Sequence, residues 1–244
     1  MRRSLPWLAA LSAALAIASA GWALNLPWLN FTFKPLTTAL LIAWAWPRGA
    51  GEAQRPCVLA GLAMSWLGDV ALMWPERGFL PGLVSFLLAH LAYLVAFTRG
   101  TRWLAWPQAG AAYAAVAALV LALLWRGVPA ALRAPVAVYV LALAGMAAQA
   151  ASQWRSRQGT PSAGLALRAA AGGALFMLSD ALLATNRFAT PLPAASLWVL
   201  SSYWCAQGLI AASLPAPASA SASGPPTWTS ASSACRPVPR SRRS

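Results

Sequence analysis

Eight stretches of mostly apolar residues follow one another along this chain, at 5–24, 29–46, 56–74, 79–98, 105–125, 135–152, 165–184 and 194–214. Each is close to the roughly 20 residues that a helix needs to cross the hydrocarbon core of a bilayer, about 30 Å thick. The connections are short and broken by Pro, Gly and Arg, as at Pro47-Arg48-Gly49, Trp74-Pro75-Glu76-Arg77-Gly78 and Gly159-Thr160-Pro161. Short connections make consecutive helices antiparallel neighbours. The expected fold is therefore all-α: a polytopic transmembrane helix bundle of about eight spans. No repeat of 20–50 residues points to a solenoid.

Composition excludes other classes. Hydrophobic residues make up 59% of the 244 and charged residues 9%, against about 25% charged in soluble domains. The net charge of +14 comes from 17 Arg and one Lys spread along the chain, a pattern of loops beside anionic lipid headgroups. A groove for nucleic acid would gather them, so no nucleic-acid partner is expected. With a cytoplasmic N-terminus and eight spans, the inner side holds twelve arginines: Arg2, Arg3, Arg48, Arg55, Arg99, Arg102, Arg155, Arg157, Arg236, Arg240, Arg242 and Arg243. The outer loops hold four, Arg77, Arg126, Arg133 and Arg187. The positive-inside rule then gives an N-in/C-in orientation. Trp7, Trp22, Trp28, Trp46, Trp74, Trp103, Trp106, Trp125 and Trp154 fall near span ends, at headgroup level.

The chain divides into a membrane domain over 1–214 and a tail over 215–244. The tail is rich in Pro, Ala and Ser, ends in a basic cluster, and is expected to be disordered and cytoplasmic. Arg2-Arg3, an apolar stretch and Ala18-Ser19-Ala20 resemble a signal peptide. The apolar and aromatic residues just beyond favour a retained first helix. Cys57, Cys205 and Cys235 show no metal or disulfide spacing, and the two in apolar runs read as small buried hydrophobes.

Ionisable side chains inside spans carry the functional information, because each costs roughly 2.5–3.5 kcal/mol at the bilayer centre. Of four acids, Asp69 and Asp180 lie inside apolar runs, as do His90 and, near the start of the second run, Lys34. Gly61, Ser65, Gly68 and Asp69 share one helical face, where small residues allow close approach of a neighbour. Phe79, Phe86, His90, Tyr93 and Phe97 form an aromatic stripe. Gly172, Gly173, Phe176, Ser179 and Asp180 precede Asn186, and Tyr203 and Gln207 stand at i, i+4. Lys34, Asp69 and Asp180 fall toward the outer ends of their spans, with the two acids about 6–8 Å deep and His90 deeper. Each has a structural reading as well: an Asp69–Lys34 ion pair, a core histidine bonded to a carbonyl, helix packing by the stripe, and interhelical hydrogen bonds by Tyr203 and Gln207.

Together these segments resemble the YhhN family, the membrane proteins that include the animal lysoplasmalogenases. The matching pieces are Phe33-Lys34-Pro35-Leu36-Thr37-Thr38, Gly68-Asp69 with Leu72, Phe79 with Gly82, Phe86-Leu-Leu-Ala-His90-Leu-Ala-Tyr93, Tyr139 and Met146. Leu178-Ser179-Asp180-Ala-Leu-Leu-Ala-Thr-Asn186-Arg-Phe188 and Tyr203-Trp-Cys-Ala-Gln207-Gly-Leu-Ile210 complete the set, which covers residues 5–214. The resemblance implies a hydrolase that cleaves the vinyl-ether bond of lysoplasmalogen or a related lysolipid. Its products would be a fatty aldehyde and glycerophospho-ethanolamine or -choline, with no cofactor or metal. The expected partners are a lysophospholipid substrate and membrane lipids, and the Ala/Arg-rich composition suggests a bacterial inner membrane.

A vinyl ether hydrolyses through proton donation to carbon and capture of an oxocarbenium ion by water. Two carboxyls in different environments can divide these tasks, as in glycosidases. Asp69 and Asp180 are the expected catalytic pair, with their roles left open. Lys34 would hold one carboxylate or contact the phosphate. His90 and Asn186 would position water or substrate, Tyr203 and Gln207 would bond the headgroup or glycerol, and Phe86 and Tyr93 would border an alkyl channel. The alternative is a proton-coupled small-molecule or lipid transporter, which would use the same Asp and His as a relay. No inverted repeat supports it. A structural or assembly factor would tolerate loss of both acids. One His and no HExxH argue against a metal enzyme, and the lack of GxSxG argues against a serine hydrolase.

Overall fold

A computed structural model describes residues 4–217, apart from Trp22 and Pro75. The expectations for Arg2, Arg3, Trp22, Cys235, the terminal arginines and nearly all of the tail lie outside the described residues. Among those described there are eight helices and no strand: α1 (Leu5–Ala18), α2 (Pro27–Ala45), α3 (Arg55–Ala71), α4 (Phe79–Thr98), α5 (Pro107–Leu124), α6 (Ala130–Ser156), α7 (Ala163–Phe188) and α8 (Ala195–Ala212). Four of them begin with proline in the first turn, at Pro6, Pro27, Pro56 and Pro107. There the missing amide is harmless and the fixed φ suits the helix.

By length and hydropathy, α4, α5, α6 and α7 can each cross a bilayer, and the chain is a multi-pass integral membrane protein. The other four helices fall short of that standard, each for a physical reason. α1 has 14 residues, about 21 Å, and ends at Ala18 rather than running on to residue 24. Its end is tied off by Ser19 Oγ donating to the Ala16 carbonyl at 2.8 Å, and Asn30 Nδ2 donates to the same carbonyl at 3.0 Å. α3 has 17 residues. α2 and α8 are diluted by polar residues, including Asn30, Lys34, Thr37 and Thr38 in one and Ser196, Ser201, Ser202 and Gln207 in the other. In contrast, α6 and α7 outrun their apolar runs. Pro135, expected at a helix start, lies inside α6, and α7 continues past Ala184 to Phe188. Asp180 is thus eight residues, about 12 Å, from the end of its helix.

Helices α2, α3, α4, α6, α7 and α8 pack in sequence around a closed ring, α8 returning against α2. α1 lies outside on α2 and α8, and α5 outside on α6, with lighter contact to α7. Loops 19–26, 72–78, 125–129 and 189–194 share one end; Gly127 there packs so tightly on the Phe188 carbonyl that no Cβ would fit. At the other end Arg48 donates to the Leu214 carbonyl and Arg157 to the Arg99 carbonyl. The ring is closed by glycines. A Cβ on Gly61 would overlap the Tyr93 ring, one on Gly68 the Phe86 ring, and one on Gly172 the Ile210 side chain. Large apolar residues such as Trp7, Leu11, Leu119, Leu123 and Leu141 face outward, as a lipid-facing surface requires. Cys205 is among the exposed residues and Cys57 is only partly buried. The expectation of buried cysteines fails because α8 turns Tyr203, Trp204 and Gln207 inward and leaves Cys205 outside.

Candidate active site

Asn30, Lys34 and Thr38 recur at i, i+4 and i+8 on α2, so they share one helical face. Thr38 donates to Asp69 Oδ2 at 2.6 Å, and Tyr203 donates to the same oxygen at 2.8 Å. Behind them stands a second rank. Trp204 Nε1 donates to Thr38 Oγ1 at 3.2 Å, Gln207 Nε2 donates to the Tyr203 hydroxyl at 3.2 Å, and Tyr93 donates to Gln207 Oε1 at 2.7 Å. Trp204 and Thr38 on one side, and Gln207 and Tyr203 on the other, pass their hydrogens inward to Asp69, which is 2% exposed. This arrangement suits an ionised carboxylate, which can only accept.

Asp180 has a different setting. Its Oδ2 accepts from the Tyr139 hydroxyl at 2.5 Å and lies 4.0 Å from His90 Nε2. Its side chain keeps 13% of its surface accessible while His90 keeps none. Neither ring nitrogen of His90 has a hydrogen-bond partner among the described residues, so it is not the core histidine bonded to a carbonyl. Its ring meets Phe176 edge-on at 4.6 Å and Tyr139 at 5.1 Å. Phe176 also packs on Phe86, Tyr93 and Tyr203, a hub for the rings around the site.

Two chambers meet at these groups. The polar one, about 180 Å³, is lined by Lys34, Asp69, Asp180, Asn186, Ser196 and Tyr203, among others. The apolar one, about 430 Å³, lies between α4, α5, α6 and α7 and includes Phe79, Tyr113, Ala117, Tyr139, Leu143 and Met177. Leu72, Phe86, Asp180 and Leu183 line both. A polar compartment joined to a hydrocarbon-lined one suits an amphiphile with a single chain.

The structure thus brings Lys34, Asp69, Asp180, Asn186, Tyr203 and Phe86 together around the polar chamber. Lys34 forms no ion pair with Asp69 among the described residues, and the nearest basic group to a carboxylate there is His90, with Nε2 4.0 Å from Asp180 Oδ2. Asn186 Oδ1 accepts the Leu192 amide at 2.9 Å, holding the α7–α8 connection. Gln207 and Tyr93 line neither chamber. Both are fully buried, and Gln207 bonds the hydroxyls of Tyr203 and Tyr93. Four further residues take part: Thr38 and Tyr139, which hold the carboxylates, and Asn30 and Ser196, which line the polar chamber. The i, i+4, i+8 spacing of Asn30, Lys34 and Thr38 would have exposed that face of α2. Nothing local marks Tyr139, whose partner is 41 residues away. Among the described residues no cluster of three His, Cys, Asp or Glu could hold a metal.

The YhhN family model matches residues 29–214. The chain is 36% identical to the human protein named Lysoplasmalogenase TMEM86A over 162 residues, 64% of each chain. It is 36% identical to the pig protein named Lysoplasmalogenase TMEM86B over 190 residues, 77% of this chain and 76% of that one. The Escherichia coli O6:H1 protein named Uncharacterized membrane protein YhhN is 29% identical over 77% of this chain and 88% of its own. No solved structure matches the chain significantly.

Proposed function

The chain belongs to the YhhN family, and on that footing we propose that it is a membrane-embedded hydrolase of the vinyl-ether bond of lysoplasmalogen or a related lysolipid. It would have eight membrane passes with both termini inside, in a bacterial inner membrane. The products are a fatty aldehyde and glycerophospho-ethanolamine or -choline. One observation carries this reading: both intramembrane carboxylates open into one polar chamber, which joins an apolar chamber at Asp180 and Phe86. The names of the human and pig relatives point to the same substrate class.

In this mechanism the hydrocarbon chain occupies the apolar chamber and the enol ether lies at the junction beside Asp180. Asp180, in its acid form, gives its proton to the alkene carbon remote from the ether oxygen. The resulting oxocarbenium ion is stabilised by Asp69, kept ionised by the hydroxyls of Thr38 and Tyr203. Water adds to the cationic carbon and loses a proton to a carboxylate. The hemiacetal then collapses, its carbon–oxygen bond to glycerol breaking to release aldehyde and alcohol. One water is consumed and the acid is regenerated. Such division of labour between an acid and an anion follows paired-carboxyl logic, and each proton-transfer group contributes typically 10²–10⁴-fold.

The test is aldehyde release from lysoplasmalogen by purified, folded protein. Asp69→Asn and Asp180→Asn should each lower kcat by about 10²-fold or more. Full activity in both variants would sink the two-carboxylate mechanism. No aldehyde from folded wild type would remove the substrate class.

A further inference from the structure

We propose that Lys34, Ser196 and Asn186, at the uncapped N-terminus of α8, form a phosphate-ester site, the anchor by which the protein holds the headgroup end of its lipid. This rests on the reading of the polar chamber as a lysolipid site. Lys34 lines that chamber and forms no ion pair among the described residues. Asp69 lines the same chamber and acts on Lys34 only from beyond ion-pair distance, so the ammonium keeps its donors for an anion brought by the ligand.

The surroundings supply donors. Ala195 and Ser196, the first two residues of α8, line the same chamber. α8 has no side-chain cap at this end, and among the described residues neither the Ser196 amide nor its hydroxyl has a partner. The Ala195 and Leu197 amides are taken by the Leu192 and Ala194 carbonyls, and the free Ser196 amide with the positive end of the helix dipole favours an anion there. Asn186 spends its oxygen on the Leu192 amide, leaving its Nδ2 donor for the chamber.

Depth agrees with this. Lys34 is one turn, about 6 Å, nearer the loops than Thr38, which holds Asp69. Ser196 is two turns, about 10 Å, nearer the loops than Tyr203. A phosphate between Lys34 and Ser196 would leave the length of a glycerol backbone and its enol ether before the carboxylates.

The test uses non-cleavable single-chain lipids with a saturated ether, so binding is read without catalysis. Affinity of the nanodisc-embedded protein for a 1-alkyl-glycerophosphoethanolamine, a 1-alkyl-glycerophosphate and a 1-alkylglycerol of equal chain length is measured by native mass spectrometry. Both phosphate lipids should bind about 10- to 100-fold tighter than the alkylglycerol, the range for a charged hydrogen bond. Lys34→Met should abolish the difference and Lys34→Arg should retain most of it. Ser196→Asp leaves Lys34 in place, favours the start of α8 and should also abolish the difference by repelling the phosphate. Equal binding of all three lipids to wild type, or an undiminished phosphate advantage in folded Lys34→Met and Ser196→Asp, overturns the proposal. Inorganic phosphate binding as tightly as the phospholipids without displacing them would likewise overturn a lipid-borne phosphate. A phosphate-dependent difference in a protein that releases no aldehyde would keep this site and refute the vinyl-ether reading alone.

Discussion

Individual polar residues divide by whether they face a chamber or brace one that does. Tyr203 lines the polar chamber and bonds Asp69, so Tyr203→Phe should lower kcat roughly 10-fold or more, the worth of a hydrogen bond to a charged group. Gln207 stands behind it, accepting from Tyr93. Gln207→Leu removes the acceptor of that buried hydroxyl and the donor to Tyr203 and should cost about 1–3 kcal/mol, seen as a lower melting temperature with KM unchanged across headgroups. A rise in KM with no loss of stability would contradict this bracing role. His90 is the converse case. Both its nitrogens are buried without a hydrogen-bond partner among the described residues, an arrangement that carries a desolvation cost. His90→Phe is expected to keep or raise the melting temperature while lowering kcat, because the group beside Asp180 is lost.

At the scale of helices, close approach sets the site. The α3–α4 contact depends on Gly61 and Gly68, whose faces are filled by the rings of Tyr93 and Phe86. Gly68→Leu would drive Phe86 away from the junction of the two chambers. The loss should be about 1–3 kcal/mol of stability together with most of the activity, measured by thermal unfolding and aldehyde release on the same sample. The residues of this face were legible as a small-residue stripe, because helical period alone groups Gly61, Ser65, Gly68 and Asp69. What the stripe meets was not legible, since the ring that fills Gly68 belongs to another helix. α5 shows the same limit: its sequence reads as one more apolar run, yet it stands outside the ring and walls the apolar chamber with Tyr113, Val116, Ala117 and Val120. Ala117→Phe, remote from both carboxylates in sequence, should shift preference toward shorter alkenyl chains by roughly 10-fold in kcat/KM, read from competing substrates of two chain lengths.

Over the whole molecule, the chambers lie at the end formed by loops 19–26, 72–78, 125–129 and 189–194. The arginines in and near the helix ends divide accordingly: Arg48, Arg55, Arg99, Arg102, Arg155, Arg157 and Arg168 at the far end, with Arg77, Arg126, Arg133 and Arg187 at the site end. By the positive-inside rule the site should face away from the cytoplasm. In a variant lacking native cysteines, Arg77→Cys or Ala189→Cys should react with an impermeant thiol reagent in intact cells, and Gln158→Cys should react only after lysis. The opposite pattern would invert the assigned orientation.

Taken alone, the sequence determined that the chain is a membrane helix bundle and that two of its four acids are held within it. It also delimited the helices to within a few residues, apart from the early end of α1 and the extensions of α6 and α7. These properties are local: hydrophobic runs, proline starts and helical period act within a few turns. Only the tertiary structure decided that Thr38 and Tyr203 converge on Asp69, that Tyr139 and His90 flank Asp180, and that Lys34 makes no ion pair among the described residues. It alone placed Gln207 and Tyr93 behind the chambers, bonded to each other. These contacts join helices separated by 31 to 134 residues, and their partners are chosen by how the ring closes, which no single run of sequence encodes.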